Sequence, residues 1–339
     1  MSELADALAR VVAGEVLDAP AMEAAMARIL AGEASPVHVA ALAVALRMRG
    51  ETPGELAAAA RALRRAAVAL PGPARRPLLD TCGTGGDGAG TFNISTAGAL
   101  VVAACGVRVA KHGNRAVSSR SGSADVLEAL GVALDEGPEA SAACLDELGI
   151  AFLFAPAFHG ALRYAAPVRR ELGLRTFFNL LGPLANPAGA THQLLGLYDP
   201  ARLGAIAEVL GALGVERAWV VHGEGGLDEV SPAGPTRVAV LDAGEVTERV
   251  VEPADFGLAP VALEGLAGGD AGANAAIVRA VLDGATGAPR AAVVINAAAA
   301  LVVAGVETDL RAAAERAAAA IDRADARALL DRWVARRAP

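Results

Sequence analysis

Through the first 70 residues the apolar positions recur at helical spacing. Leu42, Leu46, Leu56, Leu63 and Leu70 fall near every third or fourth place, which predicts helices that each bury one face. The segment SPVHVAALAVALRMRG carries Ser35 as an N-cap, Pro36 at the first helical position and Gly50 as a stop. TPGELAAAARALRRAAVAL repeats that logic, with Thr52 and Glu55 at capping-box spacing. PGPARRP then breaks the pattern, so a helical domain is expected over residues 1–71 and a second domain over 72–339. From Leu78 onward short apolar runs alternate with helical patterns. PLLDT, GVRVAK, IAFLFAP, HQLLGLY, RAWVVHG and AAVVINAA are the strand candidates, and such alternation predicts a mostly parallel sheet with helices on both faces. TRVAVLDAGEVTERVVE looks instead like a hairpin turning at Asp242 to Glu245, so one antiparallel edge is expected. HGALRYAAPVRRELG is a helical insert, and residues 160–185 are expected to pack on the N-terminal helices. The fold class is thus α/β: a small all-helical N-terminal domain and a large α/β domain with a mostly parallel central sheet.

Composition narrows the function classes. The chain has 339 residues, 54% hydrophobic and 20% charged, which suits a sizeable core and excludes global disorder. A net charge of -8 argues against general nucleic-acid binding, so any basic site must be local. Cys82, Cys105 and Cys144 are odd in number and show no C-x-x-C spacing, the pattern of a reduced cytoplasmic chain without a zinc site. The first ten residues carry acids and no apolar core of a signal peptide. The apolar runs are too short or too punctuated to span a bilayer, and no membrane partner is expected.

The chemistry concentrates in DTCGTGGDGAGTFNIST, where Gly83, Gly85 and Gly88 satisfy G-x-G-x-x-G. A dinucleotide site would need a ribose-reading acid about 20 residues on. No Asp or Glu lies between Asp87 and Asp125, and no G-K-[ST] occurs to make a Walker loop. That acid-free window instead holds Arg108, Lys111, His112, Arg115 and Arg120 among Ser95, Thr96, Ser118, Ser119, Ser121 and Ser123. Lys111 is the sole lysine of the chain. Lysine is a compact point charge where arginine is a rigid fork, so its retention beside glycines and hydroxyls points to a phosphate oxygen. The result is an anion receptor. Backbone N–H groups from Gly83 to Asp87 can approach phosphate closely, Ser95 and Thr96 sit at a helix start, and KHGNRAVSSRSGSADVLEALG forms a basic wall ending at another helix, with Ser123 or Asp125 as cap.

A polyphosphate usually comes with magnesium, whose ligands are hard oxygens. GEGGLDEVSP offers Asp228 and Glu229 at the carboxyl end of the strand RAWVV, where open α/β sheets place ligands; alone, an acidic pair in a loop is more often a solvated turn, and the flanking glycines and a polyphosphate partner bring a metal role level with that reading. Phe152, Phe154, Phe158, Tyr164, Phe177 and Phe178 crowd one region with His159, Arg163, Arg169 and Arg170. Core packing accounts for most of them, and the arginines also suit a flat substrate bearing a carboxylate.

Four stretches, DTCGTGGDGAGTFNIST, KHGNRAVSSRSGSADVLEALG, FAPAFHGALRYAAPVRRELGLRTFFNLLGPLANP and GLDEVSP, occur in the order found in anthranilate phosphoribosyltransferases, which the chain resembles nearly from end to end. The resemblance implies a hinge between the domains that closes over both substrates, a homodimer formed through the helical domain, and a cytoplasmic enzyme of tryptophan synthesis using anthranilate and 5-phospho-α-D-ribose 1-diphosphate. By motif, it assigns the phosphoribosyl diphosphate to Gly83, Gly86, Asp87, Thr91, Asn93, Ile94, Ser95, Thr96, Lys111, His112, Gly113, Asn114, Arg115, Ala116, Val117, Ser118, Ser119 and Ser123. It implies that Ser95, Asp228 and Glu229 coordinate Mg2+, with two ions expected, and that Gly83, Asn114, His159 and Arg169 touch anthranilate. Lys111, His112, Asp228 and Glu229 are the catalytic candidates it implies. Ala116 stands where the family commonly has serine, and Gly160 where proline usually follows the histidine. A pyrimidine-nucleoside phosphorylase-like enzyme and a non-catalytic nucleic-acid-binding relative of the same fold are the alternatives; the first would lack the acidic pair and the carboxylate receptor.

Overall fold

The computed structural model describes residues 3–72, 75–116, 120–134 and 137–336. Four helices open the chain: α1 (Glu3–Val12), α2 (Ala19–Leu30), α3 (Pro36–Arg49) and α4 (Pro53–Ala66). Their starts follow from local chemistry. Asp18 accepts the Ala21 N–H at 2.9 Å and Ser35 accepts the His38 N–H at 3.3 Å. Thr52 and Glu55 close the expected reciprocal box at the head of α4. Glu55 does more, because its buried carboxylate also accepts the Leu17 N–H at 2.9 Å and pairs with Arg49. One acid therefore ties the α1–α2 connection to the α3–α4 turn.

The rest of the chain builds one seven-stranded sheet in the order β3-β2-β1-β4-β5-β6-β7. The strands are β1 (Leu79–Gly83), β2 (Val109–Gly113), β3 (Ile150–Phe154), β4 (His192–Gly196), β5 (Arg217–Gly223), β6 (Thr236–Asp242) and β7 (Glu245–Val251). The first five pair parallel, and β6 and β7 add the antiparallel edge, with Asp242 opposite Glu245 as the hairpin reading required. After β1 the chain steps to β2 and β3 on one side and returns to β4 on the other, so the ends of β1 and β4 form the topological switch point where such sheets bind ligands.

Between these strands run α5 (Ile94–Ala104), α6 (Ser123–Ala129), α7 (Gly137–Leu148), α8 (Ala155–Phe158), α9 (Ala166–Leu172), α10 (Phe177–Leu184) and α11 (Leu203–Ala212); α12 (Ala271–Leu282), α13 (Ala288–Val303), α14 (Leu310–Asp322) and α15 (Asp325–Ala335) follow β7. α5 and α13 cover one face, and α11 lies on β5 and β6 on the other. On that second face Leu195, Val220 and Leu241 share a continuous apolar core with Leu42, Leu46, Leu56 and Leu63 of the opening helices. α4 packs on α10 and α11, and α9 and α10 pack on α3, so the insert sits against the opening helices. Arg64 fixes this junction by donating to the Leu184 carbonyl at 2.8 Å and the Leu213 carbonyl at 2.9 Å. Both lie at helix C-termini, where a cation is favoured.

Two local expectations are corrected. AAVVINAA is the middle of α13 rather than a strand. A short continuous apolar run cannot be told from a buried helix by periodicity, and this one is longer than a strand and opens with Pro289 in its first turn. The cap of α6 is neither Ser123 nor Asp125: Gly122 is the N-cap, and Asp125 in the first turn accepts its N–H at 2.8 Å.

Candidate active site

The glycine loop leaves β1 at the switch point and is met there by the acidic loop after β5. Small residues make that meeting possible. A Cβ at Gly83 would lie 2.4 Å from Asp228 Oδ2, and one at Gly196 would lie 1.6 Å from the Asp228 carbonyl oxygen. Asp228 Oδ2 accepts the Gly85 N–H at 2.8 Å. Gly85 and Gly86 hold φ of +65° and +73°, a turn that a side-chain-bearing residue resists. Asp87 faces Asp228, and its own Oδ1 accepts the Ala89 N–H at 3.2 Å.

Glu229 reaches the head of α5. Asn93, the N-cap, makes no side-chain capping bond there. Glu229 Oε1 accepts the Ser95 N–H at 3.1 Å instead, placing a carboxylate on a helix N-terminus. Lys111 Nζ donates to the Ser95 hydroxyl at 3.2 Å and also to the Thr81 carbonyl. The lysine is only 3% exposed. Burial, then repulsion from Asp87, pushes the Asp228 carboxyl up, and burial, then repulsion from Asp228, pushes the Glu229 carboxyl up. Burial pushes the Lys111 ammonium down against the pull of Asp80 and the acidic pair. A buried pair of acids with one cation nearby is short of positive charge, and its donors are all hard oxygens. This set fits Mg2+, with the remaining ligand positions left to water and phosphate oxygens.

Behind the lysine, Asp80 is fully buried and accepts the His112 N–H at 3.1 Å and Asn186 Nδ2 at 2.8 Å. Burial pushes its carboxyl up to about 6 despite those bonds. Asn186 also donates to the Ala110 carbonyl at 2.8 Å, locking the LGPLANP segment to β2. His112 Nδ1 lies 3.2 Å from the Gly182 carbonyl, so that nitrogen carries the proton. Burial, then repulsion from His159, pushes the imidazole down to about 3. The two rings stand 5.0 Å apart between centroids. His112 Nε2 is buried without a hydrogen-bond partner among the described residues.

The family model for the α/β domain of a glycosyl transferase family matches residues 75–327, and that for its helical bundle domain matches residues 5–67. The anthranilate phosphoribosyltransferase of Moorella thermoacetica is 55% identical over 287 residues, 85% of this chain and 84% of that protein. This chain belongs to the anthranilate phosphoribosyltransferases. Among solved structures, the family member from Thermus thermophilus superposes with a TM-score of 0.92 at 49% identity, covering 97% of this chain and 98% of that one. The Saccharomyces cerevisiae enzyme in complex with PRPP and Mg gives 0.89 at 27% identity, covering 98% and 97%. The same yeast enzyme with 4-fluoroanthranilate gives 0.85 at 26%, again covering 98% and 97%.

Against the family's motifs, the fold brings Gly83, Ser95, Lys111, Asp228 and Glu229 into one cluster, with Thr96 buried beside it and its hydroxyl unpartnered among the described residues. Ile94 is buried in the core, so only its backbone faces the site. Asn114 anchors the basic loop: its carbonyl accepts the Ala124 N–H at 3.2 Å and the Ser123 hydroxyl at 3.4 Å. A Cβ at Gly113 would lie 2.2 Å from that hydroxyl. Arg115 is engaged by Asp125 and Glu128 and covers the Phe154 ring, and the Ala116 N–H is held by Asp125 at 2.9 Å. Val117, Ser118 and Ser119 lie outside the described residues. Thr91 bridges to Ala267. Arg169, half-buried on α9, lies over the Phe178 ring and has no ion-pair partner among the described residues; burial pushes its guanidinium down. At Gly160 a Cβ would meet only Arg163 Nη1 at 3.8 Å, so space does not require glycine there.

Sequence reasoning passed over three residues that serve this cluster. Asn296 of α13 donates to the Val230 carbonyl at 2.9 Å and accepts the Val230 N–H at 2.8 Å, pinning the acidic loop from below. Its signal was available: a lone amide in an apolar helix must find partners. Asn186 holds Asp80 as described above. Arg175 stacks on Tyr198 at 4.4 Å and donates to the Gly86 carbonyl, roofing the glycine loop, a contact no local pattern announces.

Proposed function

We propose that the chain transfers the phosphoribosyl group of 5-phospho-α-D-ribose 1-diphosphate to the amine of anthranilate in the cytoplasm, releasing diphosphate and giving N-(5-phosphoribosyl)anthranilate, the second step of tryptophan synthesis from chorismate. The observation that carries the reading is the convergence on Ser95: Glu229 holds its N–H and Lys111 its hydroxyl, at the glycine-lined end of β1. The donor's diphosphate lies along Gly83, Gly86, Asp87, Thr91 and Asn93 to Thr96, and its phosphoribosyl part along Lys111 to Ser119 and Ser123. Asp228, Glu229 and Ser95 would hold Mg2+, two ions in our reading, which supplies charge neutralisation for the departing diphosphate.

Lys111 keeps the Ser95 hydroxyl oriented and leaves a positive charge beside the phosphate cradle. Arg169 receives the anthranilate carboxylate, since an uncommitted, half-buried guanidinium gains most from an anion. Gly83 and Asn114 border that acceptor and His159 closes its far side. His112 stays neutral with its proton toward Gly182, so it offers an acceptor rather than an acid. An arylamine is already neutral near pH 7, and no general base is required; positioning and charge stabilisation supply the rate. Closure of the opening helices toward the sheet excludes water from the donor.

Mixing the protein with both substrates and magnesium should make anthranilate fluorescence fall, and a chelator should stop the fall. No decrease with folded protein overturns the reading. Release of ribose 1-phosphate from a nucleoside would indicate the phosphorylase-like alternative instead. We further propose a homodimer through the opening helices, where Val12, Val16, Val37 and Met48 are exposed; sedimentation equilibrium at twice the chain mass is the expected result.

A further inference from the structure

Asn274, near the start of α12, is 2% exposed and lies far along the chain from every motif above. Among the described residues its side chain has two partners. Oδ1 accepts the Gly269 N–H at 2.7 Å, and Nδ2 donates to Asn93 Oδ1 at 2.9 Å. Asn93 in turn donates from Nδ2 to the Ser121 carbonyl at 3.2 Å. A backbone N–H can only donate and a carbonyl can only accept, so both amide orientations are fixed without ambiguity. The bonds run one way, from Gly269 through Asn274 and Asn93 to Ser121.

We infer that Asn274 is a positioning residue for the phosphoribosyl-diphosphate site, acting through Asn93; the inference rests on the function proposed above. Asn93 is the N-cap of α5 yet spends no side-chain bond on capping. Its amide is committed to the relay, which couples the head of α5 to Ser121 at the end of the basic loop. The 266–269 segment is independently fastened to the glycine loop: the Phe92 N–H donates to the Leu266 carbonyl at 3.0 Å and the Gly268 N–H to the Gly90 carbonyl at 2.8 Å. A Cβ at Gly268 would lie 2.7 Å from the Phe92 nitrogen, so the two strands of chain are in close contact. Asn274 therefore sets the spacing between the two walls of the cradle, the glycine loop and the basic loop. It need not touch either substrate.

The direction of the relay gives a test that packing alone would not pass. Asn274→Ala removes the donor to Asn93 and the acceptor of the Gly269 N–H, leaving a half-buried Asn93 Oδ1 unpaired, and the KM for phosphoribosyl diphosphate should rise about tenfold. The KM for anthranilate should rise severalfold less than that of the donor, because Arg169, which grips the acceptor's carboxylate, lies on α9 and outside the relay. Asn274→Asp is nearly isosteric but points an oxygen at Asn93 Oδ1, so it should impair donor binding more than alanine does. In an Asn93→Ala background, Asn274→Ala should add little, since the effect passes through Asn93. Additive effects of the two alanine substitutions, equal changes in both KM values, or a lowered melting temperature with an unchanged donor KM would each overturn the inference. Wild-type turnover in the same assay tests the proposed function separately: without it, that reading fails, whatever the variants do.

Discussion

Glu229 accepts the Ser95 N–H at 3.1 Å, so an acid from the loop after β5 serves as the cap of the helix after β1. Capping by a residue 134 positions away joins two motifs that local sequence leaves unrelated. It also leaves the Ser95 hydroxyl to Lys111.

That arrangement makes the acidic pair sensitive to neutralisation. Asp228→Asn with Glu229→Gln keeps the shape and removes the charge that would attract magnesium. A loss of about a hundredfold or more in kcat/KM, with a higher magnesium concentration needed for half-maximal rate, is expected from steady-state assays across a magnesium series. Unchanged magnesium dependence would remove the pair from the metal site.

Glycine at Gly83 and Gly196 is required by contact rather than by φ. Gly83→Ala would put its methyl 2.4 Å from Asp228 Oδ2, and Gly196→Ala would collide with the Asp228 backbone at 1.6 Å. Each should displace the acidic loop and cut turnover at least about tenfold, while circular dichroism remains native. Full activity in either variant would show that the acidic loop does not need its present place.

Arg169→Ala is expected to raise the KM for anthranilate by about tenfold or more while leaving the donor KM nearly unchanged. Arg169→Lys should restore only part, because a point charge does not reproduce the planar fork. An unchanged anthranilate KM in the alanine variant assigns the carboxylate to another residue.

Glu55 gives a stability prediction with a definite pH sign. Burial pushes its carboxyl up, but Arg49 and the Thr52 and Leu17 N–H groups outweigh burial and hold it below its ordinary value. A folded-state value below the unfolded one means the charged form is favoured by folding. The contribution is full above the unfolded value near 4.5 and fades as pH falls through the folded value. Glu55→Gln should therefore cost about 3 kcal/mol near neutral pH, with the gap to wild type narrowing below pH 4.5 in thermal melts. A gap independent of pH would mean the charge is not what matters.

Much of this protein was legible residue by residue. The caps at Ser35 and Thr52, the parallel strands and the hairpin edge follow from signals confined to a few neighbours, and each formed as expected. The missing acid after the glycine loop and the single lysine favour a phosphate cradle over a dinucleotide site without any knowledge of contacts. AAVVINAA misled because a run buried on all sides has no polar face to reveal its period.

The sequence by itself therefore determined most of the element types and the family, and it placed the residues of the proposed cradle in a few short motifs. Local propensity, charge and spacing are properties of short stretches, and nothing distant has to be known to read them. Only the tertiary structure decided which partners meet. Glu229 on Ser95, Asn296 under Val230 and Asn274 behind Asn93 join residues 66 to 181 positions apart. Buried amides and carboxylates must find partners, but which ones they find depends on how the sheet and its helices bring remote chain together.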